Sequence, residues 1–277
     1  MEVRIRPKSS LKLVDFRALW GARDLLVMLV WRDFAVRYKQ TILGPIWFLL
    51  QPILPTLVFV VVFNRIAGLA TEGVPPFLFY FCNQIIWGFF AANYTGTSGV
   101  LLVNMNLFTK VYFPRLAVPL AGIINNVLAV AIQMAVFAIV WISYRMSNGS
   151  TLTISPALLF FPFALLLAAF QGLAFGLWMA SITAKYRDLQ QLSLVLIQLW
   201  MYGSAVILPL STVPAKYRTL MSLNPLVFTV EAFRSCILGV GTPTIAQGVY
   251  SVGVTFIVLL TGLYMFNQTT RTFVDIA

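Results

Sequence analysis

The stretch PALLFFPFALLLAAFQGLAFGLWMASIT, residues 156–183, contains no Asp, Glu, Lys or Arg and a single amide, Gln171. It is longer than the ~20 apolar residues that cross a hydrocarbon core of ~30 Å. In hydrocarbon a backbone must satisfy its own hydrogen bonds, and a long continuous apolar run does so as a helix. Working outward, this window is one of six. No charged side chain occurs in 40–64, 73–109, 116–144, 146–184, 189–215 or 235–270. The 277 residues are 60% hydrophobic and 10% charged, whereas a soluble domain carries about 25% charged residues. A soluble core of this size would need amphipathic partner helices, which are nearly missing. The expectation is an all-α integral membrane protein with six transmembrane helices, at about 46–63, 77–103, 120–144, 156–183, 189–208 and 249–266.

The net charge of +11 is distributed with a strong bias. With the N-terminus in the cytoplasm, nine basic residues in 1–39 fall on the cytoplasmic side, joined by Lys110, Arg115, Lys185, Arg187 and Arg271. Arg65, Arg145, Lys216, Arg218 and Arg234 fall outside, giving 14 against 5. This is the positive-inside pattern, so topology and contact with lipid headgroups explain the charge and no nucleic-acid partner is implied. Both termini are then cytoplasmic. Cys82 and Cys236 have no metal or redox spacing, and the first residues lack the apolar core of a cleavable signal peptide.

Residues 1–40 read as a cytoplasmic N-terminal segment and 41–277 as the membrane domain. Within the first, 13–40 read as an amphipathic helix with Ala22, Leu26, Val30, Phe34 and Tyr38 in one row. Its apolar run Leu25–Trp31 is too short to span, so the helix is expected to lie on the cytoplasmic leaflet. Pro52 and Pro55 should kink the first span. The loop 104–115 joins spans 2 and 3, and 209–246 combines three prolines, Glu231 and basic residues with a short apolar run. That stretch is expected to be re-entrant or interfacial on the outer side.

Catalysis finds little support. There is no His, the commonest general base, and no Gly-x-Ser-x-Gly elbow. No Gly-Lys dipeptide occurs, so a Walker A phosphate loop is excluded. An integral membrane glycosyltransferase would need acidic residues near a span end, and Asp188, alone there, has Lys185 and Arg187 as neighbours, which suggests a cytoplasmic ion-pair cluster instead. The six windows deny a proton relay its ionisable groups. No cofactor or metal is expected on this chain, and energy for uphill movement must come from another one.

Two rows of small residues, Ala168-Gly172-Gly176-Ala180 and Gly88-Ala92-Gly96, are spaced for close helix approach, within one subunit in preference to between subunits. Amides at Gln51, Asn83, Gln84, Asn93, Asn125, Asn126, Gln133, Gln171 and Gln198 must face a partner or a cavity, because lipid cannot satisfy them. This argues against an inert membrane scaffold. Gln191 and Gln198 share a face of span 5. Trp31, Trp47 and Trp141 suit a membrane-interface belt, while Trp47, Trp87, Trp200 and Tyr202 also offer flat faces for stacking on pyranose rings. The candidate substrate path is therefore Trp47, Gln51, Trp87, Gln191, Gln198, Trp200 and Tyr202.

Four strings in chain order carry a family resemblance: Arg37-Tyr38-Lys39-Gln40-Thr41-Ile42-Leu43-Gly44-Pro45-Ile46-Trp47 with Gln51-Pro52; Val111-Tyr112-Phe113-Pro114-Arg115; Tyr186-Arg187-Asp188; and Leu223-Asn224-Pro225 with Glu231-Ala232-Phe233-Arg234. Together they resemble the transmembrane subunit of ABC type-2 polysaccharide exporters, the O-antigen permeases of the Wzm kind above all, with capsule and teichoic-acid permeases as near relatives. The resemblance implies a homodimer in the bacterial inner membrane, bound to two copies of a separate ATP-binding subunit that holds ATP and Mg. It implies a polyprenyl diphosphate-linked glycan as substrate, a tunnel lined by spans 1 and 5, and short periplasmic re-entrant helices between spans 5 and 6. Coupling to the ATPase would run through the N-terminal helix and the loop residues Asn106, Leu107, Phe108, Lys110, Tyr112 and Arg115. Drug or haem permeases share the superfamily, but the charged N-terminal helix and aromatic-rich span 1 favour the polysaccharide branch. Arg32, Arg37 and Lys39, near the cytoplasmic mouth, either hold the lipid diphosphate by charge-assisted hydrogen bonds or serve as positive-inside anchors.

Overall fold

The computed structural model describes residues 16–38, 46–110, 113–148 and 156–276, and no strand occurs among them. Lys39, Tyr112, the stretches 1–15, 40–45 and 149–155, and the side chains of Arg37, Asn106 and Lys110 lie outside the described residues. Among the described residues four helical stretches, Trp47–Ile66, Ala117–Ser147, Ala157–Thr183 and Ile245–Thr270, are long and apolar enough to cross a membrane. The chain is a multi-pass membrane protein.

The segment expected as one N-terminal helix is two: α1 (Phe16–Gly21) and α2 (Arg23–Tyr38). Gly21, a weak helix former, sits at the break. α2 buries Leu29 and half-buries Leu25, Leu26 and Val30, while Val27, Met28, Trp31 and Val36 stay exposed as an apolar outer face. It packs against the start of α7 (Ala117–Asn148), where Asn125 Nδ2 donates to the Val30 carbonyl at 3.2 Å.

α3 (Trp47–Phe59) contains Pro52 and Pro55 and runs on through a π-helical stretch, Val60–Ile66. Pro52 has no N–H to offer the Phe48 carbonyl one turn earlier. Gln133 of α7 supplies the missing donor, Nε2 to O at 2.9 Å. α4 (Pro76–Ser98) is the most enclosed of the long helices, buried on nearly every side. Its amides and aromatic hydroxyls dilute its apolar character, which protein neighbours can accommodate and lipid cannot. Short helices α5 (Val100–Val103) and α6 (Met105–Lys110) follow.

α8 (Phe161–Thr183) crosses α4 with backbone against backbone. A Cβ placed on Gly172 would lie 2.6 Å from the Asn93 Cβ and 2.9 Å from the Phe90 carbonyl, and one on Gly176 would lie 2.5 Å from the Thr97 Cβ. The 168–180 row is thus a contact within one chain. The Gly88-Ala92-Gly96 row behaves differently from expectation, since a Cβ on Gly88 or Gly96 would meet nothing within 4 Å. On its far side α8 carries α12 (Ile245–Ile276), whose Gly262 sits against the Ala174 carbonyl.

The expected span 189–208 is helical only as α9 (Leu189–Tyr202), whose 14 residues cover ~21 Å. Residues 203–209 are irregular, with Ala205 left-handed at φ 56°. Their exposed carbonyls are met from elsewhere: Asn224 Nδ2 donates to Gly203 at 2.8 Å, Asn83 Nδ2 to Val206 at 2.9 Å, and Arg234 Nη1 to Ala205 at 3.4 Å. Beyond lie two short helices, α10 (Ala215–Ser222) and α11 (Pro225–Leu238). Asn224 caps α11 by accepting from Leu226 N, Pro225 occupies the first helical position, and Gly239, at φ 70°, closes it.

A buried ion cluster joins the segments at this end. Arg234 is fully buried, pairs with Glu231, places its Nε 3.3 Å from Glu72, and lies 4.9 Å over the Phe79 ring. Glu231 also accepts from the backbone of Leu210 (2.9 Å) and Thr242 (3.1 Å).

Two consequences are measurable as melting temperature in detergent. Gly176→Leu should destabilise by at least the ~1–3 kcal/mol typical of overpacking, because backbone as well as side chain lies opposite, while Gly88→Ala should be neutral or stabilising. Arg234→Met should lose roughly 3–5 kcal/mol by stranding two carboxylates, and the triple change Glu72→Gln, Glu231→Gln, Arg234→Met should recover part of it.

Candidate functional site

The Gly88-Ala92-Gly96 row makes room instead of contact. Between α3, α4 and α7 lies a cavity of about 480 Å³, within the range of roughly 300–1,000 Å³ typical of ligand sites. α3 contributes Trp47, Phe48, Gln51 and Pro52; α4 contributes Gln84, Gly88, Phe89, Ala92, Thr95 and Gly96. α7 contributes Asn126, Ala129, Val130 and Gln133. None of these side chains is charged. The helical spacing explains the grouping, since 84, 88, 92 and 96 fall one turn apart on α4, and 126, 130 and 133 share a face of α7.

The expectation that the mid-span amides face partners or a cavity holds for all of them but Gln198, which is exposed on α9. Asn126 Nδ2 donates to Asn93 Oδ1 at 2.8 Å, and Gln133 is committed to Phe48 as above. Gln171, fully buried, donates to the Pro225 carbonyl (3.2 Å) and Ser251 (3.1 Å) and accepts from Thr229 (2.9 Å). Gln51 and Gln84 open into the cavity, and Gln84 is only 6% exposed. Among the described residues neither has a hydrogen-bond partner.

The candidate path residues do not form one pocket. Trp47, 44% exposed, and Gln51 line the cavity. Trp87 turns into the core, its ring 5.4 Å from Phe90. Trp200 is a joint between helices: its Nε1 donates to Asn224 Oδ1 at 3.1 Å and its ring meets Phe90 and Phe175 edge-on. It borders a second, apolar groove of about 460 Å³ with Tyr94, Phe175 and Leu199. Gln191, Gln198 and Tyr202 lie on the exposed side of α9, which buries only Ser193 and Ile197.

Near the chain's other end, Arg32 holds the neighbouring Asp33, Nη2 to Oδ1 at 2.7 Å. The loop 104–115 contains the short helix α6. Phe108 faces inward and stacks on Phe113 at 5.7 Å, with Leu107 half-buried beside it. Arg115 Nη1 donates to the Thr270 carbonyl and so ties this loop to α12.

Sequence reasoning did not group Gln84, Thr95, Asn126 and Gln133 into one site, nor place Glu72 beside Arg234. One signal was present: Gln84 extends the Gly88-Ala92-Gly96 row by a further turn. Glu72 had none, since its partner is distant in sequence.

The sequence profile of the ABC-2 type transporter family matches residues 24–238. An O-antigen export system permease protein RfbA from Myxococcus xanthus is 28% identical over 222 residues, 79% of this chain and 82% of that protein. Another from Klebsiella pneumoniae is 24% identical over 255 residues, 91% and 95% of the two chains. The polysialic acid transport protein KpsM of Escherichia coli is 23% identical over 244 residues, 85% and 90%. With helices built to cross a membrane, no enzyme among these relatives, and a family match over most of its length, the chain belongs to the ABC-2 type transporter family, as a non-enzymatic permease subunit.

Proposed function

We propose that this chain is the membrane half of an ATP-driven exporter that moves a polyprenyl diphosphate-linked polysaccharide, with O-antigen the foremost candidate, from the cytoplasm to the periplasm. The observation that carries the reading is an uncharged, amide- and aromatic-lined cavity in a chain whose six apolar windows hold no acidic or basic side chain for ion coupling. Such a permease needs force from outside. ATP and Mg belong on a separate ATP-binding subunit, two copies of which would serve a homodimer of this chain.

In this reading α3, α4, α7, α8, α9 with its irregular extension, and α12 make six crossings of the bacterial inner membrane, both termini are cytoplasmic, and α10 and α11 form the periplasmic re-entrant region. The 14-to-5 distribution of basic residues supports that orientation. The exposed amides Gln191 and Gln198 make the outer face of α9 unsuited to lipid, which supports a second copy or the glycan path beside it. Residues 1–40 and the helix α6 receive the ATPase, and the anchoring of Leu107 and Phe108 supports α6 as a rigid lever. Since Arg32 is held by Asp33, diphosphate binding at the mouth falls mainly to Arg37 and Lys39. The similarity to a polysialic acid transporter keeps capsule polymers as the second reading.

Co-purified with an ATP-binding subunit, the permease should form a stable complex whose ATPase rate rises with lipid-linked glycan. Deleting it should leave polymer inside the cell, and undiminished surface polymer would overturn the proposal. Arg37→Gln should lower export about tenfold or more with membrane insertion intact, the scale of a lost charge-assisted hydrogen bond. Export unchanged from wild type would leave Arg37 only an anchoring role.

A further inference from the structure

The cavity between α3, α4 and α7 has a chemistry more specific than a passage requires. Its width comes from residues that the packing does not need to be small. Gly88 and Gly96 face open space, whereas Gly172 and Gly176, identical in sequence signature, are pressed against neighbouring backbone. Its walls carry hydrogen-bonding capacity with no protein partner. Gln84 is more than nine-tenths buried and aimed into the cavity, and Gln51 lies beside it. Asn126 and Gln133 use their amide nitrogens on Asn93 and Phe48 and present their oxygens. Trp47, Phe48 and Phe89 add flat apolar surface.

We infer that this cavity is a binding site for a single uncharged sugar ring of the glycan and selects neutral over acidic polymer; the inference rests on the export reading above. A sugar hydroxyl is both donor and acceptor, as the free amide groups on the walls are between them. The apolar faces of a pyranose match the aromatic wall. A prenyl or acyl chain would leave the buried Gln84 unsatisfied. A carboxylated sugar would bring a charge into a site whose lining has no cation to offset its desolvation.

The test uses the full permease with its ATP-binding subunit in nanodiscs. In Gly88→Cys, alkylation of the new thiol by a maleimide is followed with maltotetraose or tetragalacturonate present, and wild type, with its buried Cys82 and Cys236, gives the background. Maltotetraose should slow the reaction severalfold and tetragalacturonate should not. Gln84→Leu in the same background should need roughly fivefold more maltotetraose for equal protection, the scale of one hydrogen bond. Independently, Gly88→Leu should fill the cavity, retain the wild-type melting temperature, and reduce export of a neutral polymer about tenfold or more. Equal protection by both sugars, protection by neither, or full export by Gly88→Leu would each overturn the inference while wild-type export stands. A complex whose wild type exports no polymer while its Gly88→Cys variant is still protected by maltotetraose would instead remove the export reading.

Discussion

The crossing of α4 and α8 is the constraint on which the rest of the molecule is arranged. Lipid tails are as apolar as leucine, so helices in a bilayer gain nothing from merely hiding hydrophobic surface from one another. They associate where close approach adds dispersion contacts, and Gly172 and Gly176 permit this by leaving no side-chain atom of α8 at the contact. α8 repeats the device on its opposite side, where Gly262 of α12 reaches the Ala174 carbonyl. The three helices form a slab, and α4, at the slab's inner face, can carry polar side chains because almost none of it meets lipid.

Polar side chains from several helices satisfy breaks in the backbone. A proline in α3 frees the Phe48 carbonyl, and Gln133 occupies it. α9 ends well short of a full crossing, and Asn83, Asn224 and Arg234 meet the carbonyls of the irregular chain that follows. Irregular backbone at this depth is tolerated only where protein surrounds it. Asn224 shows how complete the satisfaction is: it caps α11, accepts from Trp200, and donates to Gly203 and Ser204. Against that background Gln51 and Gln84 stand out, since they repair nothing.

Much of this was legible in the sequence, and the failures have physical causes. Charge-free windows and the amides within them follow from the solvent alone, because hydrocarbon penalises both charge and unpaired amides wherever they stand. The direction in which a residue points is decided by what lies opposite, which local spacing cannot encode. Hence two identical-looking rows of small residues diverged, one closing a contact and the other opening a cavity. Trp87 and Trp200, chosen for their flat rings, went into the core and a joint for the same reason. The end of α9 was missed because the residues that make an early stop affordable, Asn83, Asn224 and Arg234, are remote in sequence. The strings that resembled the family at 223–225 and 231–234 prove to be that joint and its ion cluster, which is a structural reason for their pattern.

The distribution of attachment also bears on how force could act. α3 buries one stripe, Phe48, Pro52, Thr56 and Phe59, and α9 buries only Ser193 and Ile197. Both are held far more lightly than α4 or α8. At the α2 end, by contrast, Arg115 fastens the α6 loop to α12 and Asn125 fastens α2 to α7. At the opposite end the buried Arg234 cluster joins α11 to the chain on either side of it. A push applied to α2 or α6 therefore reaches elements anchored to the slab, and the least resisted response is displacement of α3 and α9 against it. Those are the two helices that border the proposed path. In the proposed ATP-driven cycle, where the six apolar windows hold no acidic or basic side chain to switch affinity, the loosely held helices are where the shape can change without breaking the α4–α8 contact.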